Sequence, residues 1–447
     1  MNRIPLAMAL VLLSGPALAE PEKVAQATPP ADAAPPPAPK PAEPAKPPLF
    51  NIYGTLNVNF QVTQAEGATT KTASVKSRTS VSTDSSNLGV KGVFDLPQGF
   101  QVVYQCETSA AVDGISASGI CNRNSRLGVG GPTYGTLFYG NWDTPYKSMA
   151  YGTKADDPFL NTDVYGFDGL MSSPGFNYRS GGWSTASNTA TFGFDIRANN
   201  SIGYISPPVA GFTLKLQYSA DEFKNASGTQ DPTLYSASLG YDWKGLSVVG
   251  AYERHEDGFA LVGINPAAAG TTPAAATFGA TAGNTAGSAT AAIHSSDSAW
   301  RVGAGYQLDT AAGATTVGAL YEQLMLEQSK APTGALKKYE RAAWQVSLKH
   351  RAGNHELRAR YSMADQGKCT FADVAGCSAK DHGATNLAIG YAYYLAKTAQ
   401  VYLHFAMMQN EKAAQYTFPI GGSPAVAGAT PAGADPLAVG LGIRYGF

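Results

Sequence analysis

Residues 437–447 read L-A-V-G-L-G-I-R-Y-G-F, with Leu437, Val439, Leu441, Ile443, Tyr445 and Phe447 on one parity and Ala438, Gly440, Gly442, Arg444 and Gly446 on the other. Side chains of a β-strand point alternately to opposite faces, so this strand carries one unbroken apolar face and one small or polar face. A soluble sheet would cover the apolar face with protein. A chain that closes on such a strand with an aromatic residue fits a barrel wall in the bacterial outer membrane, where lipid takes the place of the core.

The rest of the chain has the composition such a wall requires. Charged residues make up 15% of the 447, against roughly 25% in soluble proteins. Apolar residues are an ordinary 44%, with 49 Gly and 23 Tyr. No apolar run reaches the roughly 18 residues of a helical membrane span. A net charge of −1 argues against nucleic acid as a partner.

The first residues read as an export signal. Arg3 supplies the positive charge, residues 6–13 the apolar stretch and Ala17-Leu18-Ala19 the small-residue cleavage site, predicting a signal peptide over 1–19. Residues 20–48 are Pro, Ala and Lys with almost nothing that could pack, and read as a semi-rigid periplasmic tether: a spacer, or a link to peptidoglycan or a periplasmic partner. Residues 49–447 are the predicted barrel. In an exported protein, Cys106 with Cys121 and Cys369 with Cys377, each pair bracketing a hairpin tip, predict two local disulfides. Neither pair has metal-ligand spacing, so no metal and no cofactor is expected.

The dyad recurs from Phe50 onward. Phe50, Ile52, Leu56, Val58 and Phe60 alternate with Asn51, Tyr53, Thr55, Asn57, Asn59 and Gln61. Phe212, Leu214, Leu216 and Tyr218 alternate with Thr213, Lys215 and Gln217. Tyr235, Leu239, Tyr241 and Trp243 alternate with Ser236, Ser238 and Asp242. Connections alternate in length: short at 95–99, 132–135, 206–211, 244–245, 309–314, 353–354 and 397–398, long between them. Short turns on one side and long loops on the other predict an all-β, 16-stranded antiparallel transmembrane barrel. The low-complexity stretch 266–292 falls in one of the long loops.

One connection, 143–196, is far longer than a hairpin needs. It carries Asp143, Asp156, Asp157, Asp163, Asp168 and Asp195 and is rich in aromatic residues, among them Tyr146, Tyr151, Phe159, Tyr165, Phe167, Phe176 and Tyr178, which suits packing inside the barrel. Parity places Lys91, Arg126, Lys215, Arg301, Lys349, Arg358, Arg360 and Arg444 on the lumen face, against Glu107, Asp242 and Glu356. A mostly basic wall facing a mostly acidic inward loop predicts a transverse field at the constriction. Catalysis has little support. The six His residues are dispersed, and no nucleophile elbow, metalloprotease or phosphate-loop motif is present.

Several blocks resemble the general porins of Gram-negative bacteria, especially the beta-proteobacterial type. These are 85–105 (S-S-N-L-G-V-K-G-V-F-D-L-P-Q-G-F-Q-V-V-Y-Q), the run 122–146 with its G-T-L-F-Y-G-N and Asp143-Thr144-Pro145-Tyr146, the run 197–218, and the closing L-G-I-R-Y-G-F. The resemblance implies a homotrimer in the outer membrane, among lipid and lipopolysaccharide, with the third loop folded into each lumen. It implies passive diffusion of ions and small hydrophilic solutes, and a terminal Phe447 read by the insertion machinery. Asn87 and Gly203 stand where such porins often carry arginine, so two basic wall positions are missing. Two other functions fit the same barrel: a substrate-selective channel for sugars or organic acids, and a structural or adhesive role through the tether.

Overall fold

The computed structural model describes residues 50–114, 119–159, 169–176, 179–180, 193–220, 233–257, 259–260, 294–329, 336–418 and 430–447. The expected signal peptide and tether over 1–48, the stretch 266–292, and the loop acids Asp163 and Asp168 lie outside these residues.

The strands are β1 (Asn51–Glu66), β2 (Val75–Thr83, continued by Asn87–Asp95), β3 (Gln101–Ser109), β4 (Ser125–Gly131), β5 (Gly135–Asp143), β6 (Arg197–Ile205), β7 (Phe212–Ala220) and β8 (Thr233–Trp243). They go on through β9 (Leu246–Glu256), β10 (His294–Thr310), β11 (Gly313–Ser329), β12 (Leu336–Ala352), β13 (His355–Ala364, continued by Lys368–Phe371), β14 (Ala384–Ala396), β15 (Ala399–Asn410) and β16 (Asp435–Gly446). Each pairs antiparallel with its chain neighbour, and β1 pairs with β16, so the 16 strands close on themselves. Two strands are interrupted. Both halves of β2 pair with β1, and both halves of β13 pair with β12. At the break in β2 a side chain replaces the ladder: Ser86 Oγ accepts from Asn57 N at 2.7 Å and donates to Asn57 O at 3.0 Å.

Closure leaves no free edge, so every strand can satisfy its backbone while its outer face stays apolar. That outer face carries Leu56, Phe60, Leu127, Leu137, Leu216, Val302, Val346, Ile389, Leu403 and Ile443, all exposed. A lysine or arginine placed at the middle of such a belt costs about 2–4 kcal/mol. Outer aromatic pairs mark its two margins. Phe100–Tyr134 (4.8 Å) and Phe212–Tyr241 (4.6 Å) lie beside the short turns. Trp300–Tyr321 (5.3 Å) and Trp344–Tyr361 (5.5 Å) lie toward the long loops.

Both expected disulfides are formed, Cys106–Cys121 and Cys369–Cys377, at the long-loop end of the barrel. The strands there run further than the sequence dyad suggested. β10, β11 and β12 are each 17 residues, whereas a tilted strand crosses the bilayer in roughly 9–11. The excess stands outside the hydrocarbon, where charged residues carry no penalty.

Candidate functional site

The described parts of the third loop, chiefly 144–159 and 169–176, turn into the barrel as the loop's length and aromatic content suggested. The root of the loop is a charge cluster. Asp143 ion-pairs with Arg197 Nη2 at 3.0 Å and Lys147 Nζ at 3.7 Å, and Lys147 also reaches Asp195 at 3.5 Å. Asn124 bridges, donating to Asp143 Oδ2 at 2.7 Å while its Oδ1 accepts from Arg197 Nε at 2.9 Å. Asp143 therefore clamps the two ends of the loop together and lends little charge to the pore.

From the root the loop follows the inner wall. Tyr146 N donates to Ser236 Oγ on β8 (3.0 Å), Lys215 Nζ on β7 donates to Ser148 O (2.9 Å), and Lys154 N donates to Ser247 Oγ on β9 (3.0 Å). The backbone of Lys154 and Ala155 then lies directly against Gly305 of β10, where a side chain would overlap it. Asp157 meets Arg360 of β13 at 2.8 Å, and the Phe159 ring stands edge-on to His404 of β15 at 5.2 Å.

The returning limb, 169–176, is held by a buried hub centred on Glu322 of β11. Glu322 accepts from Tyr146 OH (2.7 Å), from Ser172 N (2.8 Å) and from Arg301 Nε (3.0 Å), and ion-pairs with Arg341 at 3.2 Å. Arg301 Nη2 also donates to Ser172 Oγ at 2.5 Å, and its guanidinium lies 4.5 Å from the Tyr146 ring centre. Arg341 reaches Ser173 O and Leu170 O, both at 2.9 Å. One carboxylate, two guanidiniums, one phenol and loop backbone thus join strand and loop with almost no water contact.

This arrangement revises the expected transverse field. Arg301 and Arg360 stand on the wall as parity placed them, but neither faces the loop across water: Arg360 ion-pairs with Asp157 of the loop, and Arg301 ion-pairs with Glu322 of the wall while donating to Ser172 of the loop. Arg358 is likewise satisfied, by Glu356 Oε1 at 2.6 Å and Gln400 Oε1 at 3.0 Å. Burial explains the pairing, because an isolated charge under the packed loop would carry the full desolvation penalty.

The other predicted wall residues differ in setting. Lys91 is exposed, its ammonium 4.5 Å from the Tyr53 ring centre. Lys349 is partly exposed on β12. Arg126 lies over Trp142 at 4.2 Å and Phe138 at 5.2 Å, and its Nε and Nη1 have no hydrogen-bond partner among the described residues. Phe138 pairs across the ladder with Gly203, and its ring fills the space a side chain there would need. Asn87 donates to Ser85 O at 3.1 Å. Phe447 is half-exposed beside β1, exchanging backbone hydrogen bonds with Gly54 at 3.0 and 3.1 Å.

Asp156 is a titratable charge on the described loop. Burial pushes its carboxyl up to about 7; the Gly152 N–H at 2.8 Å opposes the shift and the neighbouring Asp157 adds to it. A raised carboxyl pKa favours the docked loop at low pH. That contribution is full below the ordinary carboxyl value of 3.8 and is lost as pH rises through about 7. Above that pH the loop gains a negative charge. Reversal potentials measured from about pH 5 to about pH 9 are expected to move toward cation preference with a midpoint near neutrality, and Asp156→Asn to flatten the curve. A flat wild-type curve would show that Asp156 does not titrate in the pore.

A closed antiparallel barrel with an apolar outer belt, a polar lumen and an inward loop defines a transmembrane β-barrel. The sequence profile of the Gram-negative porins matches residues 6–331 and 311–413, and the chain belongs to that family. Its place is the bacterial outer membrane. It is 26% identical over 210 residues to the major outer membrane protein P.IB of Neisseria lactamica, a match covering 46% of this chain and 54% of that one. The same protein from Neisseria meningitidis serogroup B is 28% identical over 209 residues, with the same coverage. The chain thus spans about half the length of the curated relatives it matches. Among solved structures, an anion-selective porin from Comamonas acidovorans aligns with a TM-score of 0.64 at 20% identity, over 89% of this chain and 99% of that one. The trimer form of OmpT from Vibrio cholerae aligns at 0.54 and 19%, over 89% and 99%. At these identities the likeness is one of fold.

Proposed function

We propose that the chain forms a water-filled channel for passive diffusion of ions and small hydrophilic solutes, working as a homotrimer and carrying out no reaction. The observation that supports it most is the third loop laid across the lumen of a closed barrel on anchors from β7 to β15. This arrangement narrows a passage without a catalytic constellation among the described residues. In this reading Arg126, Lys91 and Lys349 supply wall charge and Asp156, with Asp163 and Asp168, supplies loop charge. Asp143, Asp157, Arg301, Arg358 and Arg360 fix the geometry. Residues 1–19 direct export, 20–48 tether the barrel on its periplasmic side, and Phe447 marks the chain for insertion.

The test is a planar bilayer recording of the refolded protein under a salt gradient. Conductance appearing in groups of three steps is the expected result. Single, independent steps would retire the trimer and keep the channel. A folded barrel with no conductance would overturn the channel itself, and saturable block by one sugar or organic acid would favour a substrate-selective pore.

A further inference from the structure

The first limb of the eighth loop, 411–418, which follows β15, also turns inward. Ala414, Gln415, Tyr416, Thr417 and Phe418 are consecutive and all buried. A connection that merely crowned the mouth would leave such residues in water, since loops ordinarily run over the surface. These residues pack against the returning limb of the third loop. Gln415 N donates to Gly175 O at 2.7 Å. The Tyr416 ring occupies the hollow beside Gly175, where any side chain would collide with it, and Gly175 holds φ at +78°. Arg341, which binds Ser173 O and Leu170 O, has its guanidinium 5.9 Å from the same ring.

The base of the eighth loop is equally fixed. Asn410 donates to Tyr416 O at 2.9 Å and to Ala434 O at 2.7 Å and accepts from Tyr416 N at 3.1 Å, so one side chain ties both limbs together. Ala413 N donates to Asp381 O at 2.9 Å, and Thr69 Oγ1 to Lys412 O at 2.7 Å, which links the base to the seventh and first loops. The third loop is rooted between β5 and β6 and the eighth between β15 and β16. Their meeting at Gly175 and Tyr416 bridges two different sectors of the wall.

We propose that the eighth loop is a second constriction element, a strap that holds the 169–176 limb in place, so that the two loops jointly set the size limit of the pore. This inference rests on the channel reading above and identifies which residues decide what passes. The joint is aromatic and uncharged apart from Arg341. Loosening it should widen the passage without altering its ion preference, because no charge is removed.

The experiment compares full-length wild type with Tyr416→Ala and Tyr416→Phe in planar bilayers and in liposomes swelling in neutral sugars of increasing size. Tyr416→Ala is expected to raise single-channel conductance roughly 1.5-fold or more and to admit larger sugars at an unchanged reversal potential. Tyr416→Phe keeps the ring and should fall close to wild type. Gln415→Pro, which removes the N–H given to Gly175 O together with the side-chain bond to Thr430 O and leaves the Tyr416 ring in place, gives a second reading of the same joint should the alanine variant not fold. A conducting Tyr416→Ala channel with wild-type conductance and wild-type sugar cut-off overturns the strap and leaves the channel standing. A silent wild type overturns both.

Discussion

Replacing Glu322 with alanine is expected to release the third loop from the wall. The carboxylate is the acid that Arg301 and Arg341, each 1% exposed, share at the centre of the hub, and its loss takes that common counter-charge from both. Removing one partner of a buried ion pair costs about 3–5 kcal/mol, because the remaining charge must be re-solvated. The barrel can absorb little of this by deforming, since around Glu322 β11 is held on both sides by ladders to β10 and β12. The loop can, by lifting the 169–176 limb and letting water reach both guanidiniums. Larger single-channel conductance and a shift toward anions should follow, since two positive charges then face the lumen. Protease cleavage within the third loop of an otherwise intact barrel should accompany them. Wild-type conductance together with wild-type protease resistance would show that the hub does not hold the loop. Glu322→Gln keeps two polar atoms and should give a smaller version of the same change.

The second large effect is steric. Gly305 and Gly318 face each other across the β10–β11 ladder and carry the third loop at Lys154 and Ala155. At Gly305 the atoms in the way are loop backbone, which cannot rotate aside as a side chain can. Gly305→Leu suits the strand, so the loop has to lift. Overpacking of this kind costs about 1–3 kcal/mol, here directed at one segment. Trypsin should then cut after Lys154 and conductance should rise. Gly318→Leu should do less, because the nearest loop atom there is 3.3 Å from the added carbon. Protection of Lys154 in a conducting Gly305→Leu channel would contradict the placement of the loop.

The barrel was legible because lipid imposes one rule on every strand. The outer face must be apolar, and the dyad of 437–447 or of 212–218 shows it directly. The disulfides were legible because each cysteine pair brackets a single loop. The hub was not. On β11 the inward face is itself apolar at Leu320, Leu324 and Leu326, since the loop packs there, and with both faces apolar the alternation around Glu322 disappears. On β12 the run Lys337, Lys338, Glu340, Arg341 reads as a polar loop. It is strand that has risen past the hydrocarbon, where alternation is no longer enforced. The partners also lie far apart in the chain, with Arg360 and Asp157 separated by 203 residues. Parity could put Arg301 and Arg360 on the inner face. Whether they met water or a carboxylate depended on where the loop came to rest.

The seam between β1 and β16 has a consequence in time. Every other neighbouring pair joins consecutive strands and can form as a local unit. The seam, running unbroken from Thr55–Gly446 to Glu66–Asp435, joins the two extremes of the barrel sequence. Until β16 is available the chain is a ribbon with two open edges, each a template for pairing with the wrong strand. Closure of the ring therefore has to wait for the last strand, whatever hairpins have formed before it. Cutting away β16 would remove far more than one strand's share of stability: it would leave a ribbon that never becomes a ring.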